Sequence, residues 1–227
     1  MSDPSFRSLA RKAASLYPAR DRFARHFAFG KLTGDPVFAY LLASSLIAPG
    51  ARVADLGCGQ GLLAALLVAA GVPVRYTGIE LMAHDAERGR AATASAAADS
   101  MRFIVGDIRN AEFGAADAVV ILDVLHYIDY EAQAAVLGRV RDSLGEGGVL
   151  LLRVGDEAPT LRFRYTLFVD RMVMALRGHR ISRLYCRPLA RWVTELEGLG
   201  FKVEARPMST GTLFANVLLV ARYHRAG

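Results

Sequence analysis

The run Val53-Ala-Asp-Leu-Gly-Cys-Gly-Gln-Gly61 constrains this chain more than any other segment, because it joins an apolar strand pattern to an apolar helical one. Glycine removes Cβ where a backbone must turn sharply and come close to a ligand. The helix start behind such a turn offers unpaired N–H groups and a partial positive charge, so a carboxylate or phosphate fits there. Spacing separates the ligand classes. Nicotinamide dinucleotide loops follow G-x-G-x-x-G, whereas here the glycines are 57, 59 and 61, Leu62 fills the place of the dinucleotide pattern's last glycine, and Asp55 precedes them.

Downstream of residue 50, short apolar runs alternate with helical periods. The pattern predicts strands at 52–56, 74–80, 101–105, 117–123, 148–154, 201–206 and 213–222, with helices near 60–70, 84–97, 130–143 and 188–199. The first five strands have the βαβ rhythm of a parallel sheet covered by helices on both faces. Only a short segment around Ser209-Thr210-Gly211 joins the last two, so they pair as an antiparallel hairpin. The expectation is an α/β, Rossmann-like, seven-stranded and mostly parallel sheet. Residues 1–49 read as an N-terminal helical cap and 50–227 as the sheet domain, with 157–187 as a helical lid insertion beyond the fifth strand.

Composition narrows the setting. At 53% hydrophobic and 22% charged, the chain has enough apolar material for one sizeable core, which excludes a disordered segment. Cys58 and Cys186 permit at most a single bridge, so a reducing cytoplasm is expected. The longest apolar run, 62–72, falls short of the ~20 residues a bilayer span needs. The net charge of +6 is unevenly spread: 6 basic against 2 acidic residues in 1–30, 9 against 14 in 31–152, and 9 against 3 in 153–191. Basic flanks around an acidic middle suit an anionic partner, although arginine also serves simply as a solubilising surface residue.

Taken together, the glycine run, Glu80 ending the second strand, Gly106-Asp107 after the third, a fourth strand ending Asp123-Val-Leu-His126, a Gly-Gly entry to the fifth and the closing hairpin resemble the class I S-adenosylmethionine-dependent methyltransferases. The resemblance covers roughly residues 50–222. It implies that Glu80 accepts hydrogen bonds from the ribose hydroxyls, with Leu81 beside it. It also implies that Asp107 meets the adenine amino group while Ile108 packs on the ring. Asp55, Gly57, Cys58, Gly59 and Gly61 would surround the methionyl portion, Asp123 would bind its ammonium, and Lys31 would pair with its carboxylate; each charged residue also reads as a cap or a surface charge. Methyl transfer from a sulfonium needs alignment and exclusion of water, and no metal. His26, His84, His126, His179 and His224 are scattered, and no metal site is expected.

Where the acceptor must lose a proton, His126 is the best-placed base, since histidine titrates near neutrality, with Tyr127 beside it. It reads equally as a residue that packs against or orients the acceptor. Tyr17, Tyr165 and Tyr185 are weaker candidates. The segment Leu122-Asp-Val-Leu125 replaces the Asn/Asp-Pro-Pro-aromatic run that clamps planar nitrogens, which points to a small-molecule or carrier-bound acceptor. Segments 170–180 and 186–190, with 214–220, are similar to methyltransferases of bacterial aryl-polyene pathways, implying an aromatic or acyl acceptor, delivered in that case on an acidic acyl carrier protein. Arg162, Arg164 and Arg171 would then line an anion-attracting mouth. The competing readings are an RNA methyltransferase, an NAD-dependent oxidoreductase and a non-catalytic S-adenosylmethionine-binding protein; nucleic acid is disfavoured because basic and aromatic residues are not interleaved.

Overall fold

The computed structural model describes residues 4–97, 99–155, 184–208 and 216–224. Its centre is a seven-stranded sheet in the order β3-β2-β1-β4-β5-β7-β6, built from β1 (Arg52–Leu56), β2 (Arg75–Glu80), β3 (Met101–Val105), β4 (Ala116–Leu122), β5 (Leu144–Gly155), β6 (Phe201–Pro207) and β7 (Asn216–Tyr223). β1 to β5 pair in parallel, β7 runs antiparallel to both β5 and β6, and the expected Rossmann-like sheet with its terminal hairpin is what forms. The order reverses at β1, between β2 and β4. In open parallel sheets that reversal leaves a crevice at the strands' carboxyl ends.

Period-two alternation sorts the strand side chains onto two faces. Val53, Ala118, Val120, Val149, Leu151, Leu218 and Val220 point to one core. Ala54, Val119, Ile121, Leu150, Leu152, Leu219 and Ala221 point to the other. The described helices are α1 (Pro4–Ser15), α2 (Arg22–Gly34), α3 (Pro36–Ala43), α4 (Leu62–Ala70), α5 (Ala83–Ala97), α6 (Tyr130–Ser143) and α7 (Leu189–Gly198). The first face is covered by α1 to α5 and the second by α6 and α7.

α4 explains why the N-terminal helices exist. Its sequence LLAALLVAA has no polar side, and nearly every residue is buried. A helix apolar all round must be covered on every side. The sheet covers one flank; Phe6, Ala10, Ala13 and Ala14 of α1 and the following Tyr17 share its cluster. Burying each leucine contributes about 1.5–3 kcal/mol, so the cap is part of the core in energetic terms. Lys12 Nζ also donates to the Ala69 carbonyl at 2.8 Å, satisfying an orphan acceptor in the last turn of α4.

Local caps set the other boundaries. Asp21 accepts from Ala24 N before α2, Asp35 from Val37 N before α3 with Pro36 at its first position, and Asp129 from Ala132 N before α6. β5 begins earlier than the expected 148, because Leu144 already pairs with Ala116 before an irregularity shifts the register. Residues 213–215 of the expected last strand, and the expected lid from 157 to 183, lie outside the described residues.

Candidate functional site

The glycine run folds as the turn its spacing requires. Gly57, Gly59 and Gly61 all have positive φ, at +79°, +55° and +75°. Gly57 is fixed by crowding as well as by dihedral, since a Cβ there would collide with the Val124 side chain. Gly59 is the opposite case: a Cβ there would meet nothing within 4 Å, so the loop presents bare backbone to open space. The turn is pinned across β2, with Gly57 N and Cys58 N both donating to the Ile79 carbonyl at 2.8 and 3.0 Å. Gln60 Nε2 is buried with no hydrogen-bond partner among the described residues, a donor left over at this turn.

The acids named from sequence sit around this loop in three different environments. Glu80, buried at the end of β2, accepts from Gly59 N through Oε2 and from Met82 N through Oε1, both at 2.9 Å. Each carboxylate oxygen still has a lone pair to offer. Asp107 follows β3 and is held by Arg109, whose Nε and Nη2 reach Oδ2 at 2.9 and 2.6 Å. That pairing holds its pKa below the usual carboxylate range. Asp55 is buried beneath the turn, where Tyr76 donates to it at 2.6 Å; desolvation pushes its pKa up to about 7, Tyr76 pulls it down and Glu80 adds to the rise. The neighbouring Cys58 thiol is likewise pushed well up by burial, which leaves it a space-filling group. Between these acids Leu81 and Val105 are about half exposed, while Ile108 is buried.

The end of β4 departs from expectation. Asp123 has a left-handed φ of +58° and is clamped by Arg153 from β5, with Nε on Oδ1 at 2.9 Å and Nη2 on Oδ2. Arg153 is 2% exposed and also donates to Asp35 Oδ1 at 2.6 Å. Lys31 completes the cluster through Asp35 Oδ2 at 2.8 Å. Both Asp123 and Lys31, expected to meet a ligand's charges directly, therefore already hold opposite charges within the protein.

His126 lies in a short turn after β4, its ring 4.1 Å from that of Tyr127. Desolvation pushes its pKa down to about 4, only partly offset by Asp123. Burial thereby makes the imidazole a weaker base than an ordinary histidine. Tyr17 is placed against the glycine turn. It is fully buried, its hydroxyl donates to the Gln60 carbonyl at 2.8 Å, and burial raises its pKa. Tyr185 does stand beside His126, its N–H donating to the His126 carbonyl at 2.8 Å. Tyr165, Arg162, Arg164 and Arg171 lie outside the described residues.

Several positioning groups escaped the sequence reading. Gln133 on α6, fully buried, donates to the carbonyls of Leu125, Ile128 and Tyr185 and so ties the β4 turn to the segment before α7. Arg139 reaches the carbonyls of Ile108 and Arg109 after β3. The acceptors of these bonds are backbone carbonyls, which no residue pattern reveals. Arg153 did carry a signal, since a cation inside the run Val-Leu-Leu-Leu-Arg-Val requires buried anions.

The comparisons with known proteins concern this same crevice. A family model described as a methyltransferase domain matches residues 53–148, which include the glycine turn, Glu80, Asp107 and the β4 end. The Synechocystis magnesium protoporphyrin IX methyltransferase, solved with bound S-adenosylhomocysteine, superimposes with a TM-score of 0.63 at 23% identity, over 89% of this chain and 88% of that one. Residues 53–148 thus resemble a methyltransferase domain, and the seven-stranded sheet has the Rossmann-like fold of the solved methyltransferases. An O-methyltransferase family protein from Burkholderia thailandensis gives a TM-score of 0.67 at 20% identity, over 92% of this chain and 62% of that one. Among curated proteins, a carboxy-S-adenosyl-L-methionine synthase from Chromohalobacter salexigens is 32% identical over 115 residues, 49% of this chain. This chain spans less than half of that relative's length, 43%. Among the described residues no cluster of His, Cys, Asp or Glu is arranged to hold a metal ion, and no helix is long and apolar enough to cross a membrane.

Proposed function

We propose that this protein transfers a methyl group from S-adenosylmethionine to a small-molecule acceptor of aromatic or acyl character, free or borne on an acidic carrier protein. One observation carries the reading: the open backbone at Gly59, the buried carboxylate of Glu80 and the half-exposed apolar Leu81 and Val105 lie along one carboxyl edge. These residues fit the cofactor. The chemistry it supplies when bound is an electrophilic methyl on a sulfonium.

The chain's own groups divide the remaining work. Glu80 accepts from the ribose hydroxyls on lone pairs not used by Gly59 and Met82. Asp107 serves the adenine amino group, with Leu81 and Ile108 against the ring; Asp55, Cys58 and the three glycines shape the methionyl end. Asp123 and Lys31 act within the charge cluster they share with Asp35 and Arg153. His126 orients the acceptor as a neutral hydrogen-bonding group, next to Tyr127. Residues 1–49 serve as a cap on the 50–227 domain and 157–187 as its lid, whose arginines attract an anionic acceptor. Free thiols at Cys58 and Cys186 suit a reducing cytoplasm.

The experiment is formation of S-adenosylhomocysteine on incubation with S-adenosylmethionine and a panel of aromatic and acyl acceptors, free and carrier-bound. Product formed with an aromatic or acyl member supports the assignment. Cofactor binding without turnover across the panel contradicts it.

A further inference from the structure

We propose that Asp35 and Arg153 are positioning residues for the cofactor loop, coupling the N-terminal helices to the glycine turn through Asp123 and Val124; the inference rests on the cofactor reading above. Arg153 sits in β5 directly opposite Leu122, the last residue of β4, and is 2% exposed. A buried guanidinium persists only with geometry that repays its desolvation. Here it has two carboxylates from separate elements, Asp35 ahead of α3 and Asp123 beyond β4. Asp35 is itself fixed by Val37 N at 3.1 Å and Lys31 Nζ at 2.8 Å. One end of the cluster is therefore set by the corner between α2 and α3.

The other end is set at the loop. Asp123 holds a φ of +58°, a left-handed conformation that residues with a Cβ disfavour. Arg153 keeps it there by clamping both carboxylate oxygens and by accepting Asp123 N at its own carbonyl, 3.3 Å away. The left-handed residue turns the chain so that Val124 fills the space left by the missing Cβ of Gly57. Gly57 in turn donates to Ile79 as the first anchor of the cofactor turn. A perturbation at Asp35 is thereby transmitted to Gly57 through packed, hydrogen-bonded groups.

The test is calorimetric titration of the full chain with S-adenosylhomocysteine, using wild type, Asp35→Asn, Val124→Ala and the double variant, with thermal melts alongside. Asp35→Asn keeps an oxygen for Val37 N while removing the charge that anchors Arg153. Coupling of this kind predicts about three- to thirtyfold weaker binding for Asp35→Asn. The double variant should bind no more weakly than the worse single one, because both act through the same turn. A purely structural role would lower the melting temperature and leave Kd unchanged. Unchanged Kd in Asp35→Asn, or losses that multiply in the double variant, would overturn the inference. Should Asp35→Asn not fold, Lys31→Met perturbs the same carboxylate from a half-exposed position, and its cycle with Val124→Ala is read by the same criteria. A wild type that fails to bind S-adenosylhomocysteine refutes the cofactor reading itself, and the inference falls with it.

Discussion

Asp55 and His126 show how burial within one crevice moves two titrations in opposite directions. Asp55 keeps its proton up to about pH 7 in the folded protein against an ordinary 3.8, so between those values the folded state binds more protons than the unfolded state. Its contribution makes stability fall as pH rises from about 4 to 7. His126 titrates at about 4 against an ordinary 6.5, so the unfolded state binds more protons there and stability falls as pH drops from 6.5 to 4. The two slopes oppose and partly mask each other in wild type. Asp55→Asn, which still accepts from Tyr76, should therefore raise the melting temperature at pH 8 and flatten the Asp55 limb; His126→Gln should remove the acid-side loss. Melts from pH 4 to 8 on both variants check this. The same depressed pKa predicts that kcat shows no His126 limb near pH 6.5, and a bell with an acid limb there that vanishes in His126→Gln would restore its role as a base. At Glu80, removing the acceptor of two loop N–H groups, and of the ribose hydroxyls on the proposed reading, should weaken S-adenosylmethionine binding by roughly 2–3 kcal/mol in Glu80→Ala, measured calorimetrically.

Among the elements, β5 carries the largest single vulnerability. Arg153→Ala would strip the buried Asp35 and the partly exposed Asp123 of the guanidinium they share, leaving Lys31 on Asp35, a loss of about 3 kcal/mol, the low end for breaking a buried pair. Chemical denaturation checks it, and a change below 1 kcal/mol would mean that the cluster is hydrated or relaxes freely. This strand also shows what the sequence could and could not reveal. Strand positions followed from apolar runs, and the β1 turn from glycine spacing, because those signals are local. Glu80 and Asp107 were legible because strand ends of a parallel sheet converge. The partner of Asp123 was not, because Arg153 and Asp123 lie far apart in the chain and meet only through sheet order, whereas Lys31 pairs with Asp35 just four residues on, a local spacing that was open to reading. The depressed His126 titration was equally hidden, since desolvation depends on Gln133, Tyr127 and Tyr185 closing around one turn.

Considered as a whole molecule, the protein has two cores on one sheet, and the first is completed only by the N-terminal helices. A chain lacking residues 1–43 would expose the apolar length of α4, so it should aggregate or bind hydrophobic dyes strongly; a soluble, cooperatively melting truncation would contradict that account. The charge pattern also acquires a location at this scale. The acidic middle of the chain supplies the crevice carboxylates, and part of their charge is neutralised by Arg109 and Arg153 within the domain. Binding of S-adenosylmethionine along that crevice is the central claim. Isothermal titration with S-adenosylmethionine, beside an identical titration with NAD, addresses it most directly. The account predicts saturable binding of S-adenosylmethionine that is weakened in Glu80→Ala, with no heat from NAD; absence of S-adenosylmethionine binding to the folded wild-type chain would contradict it.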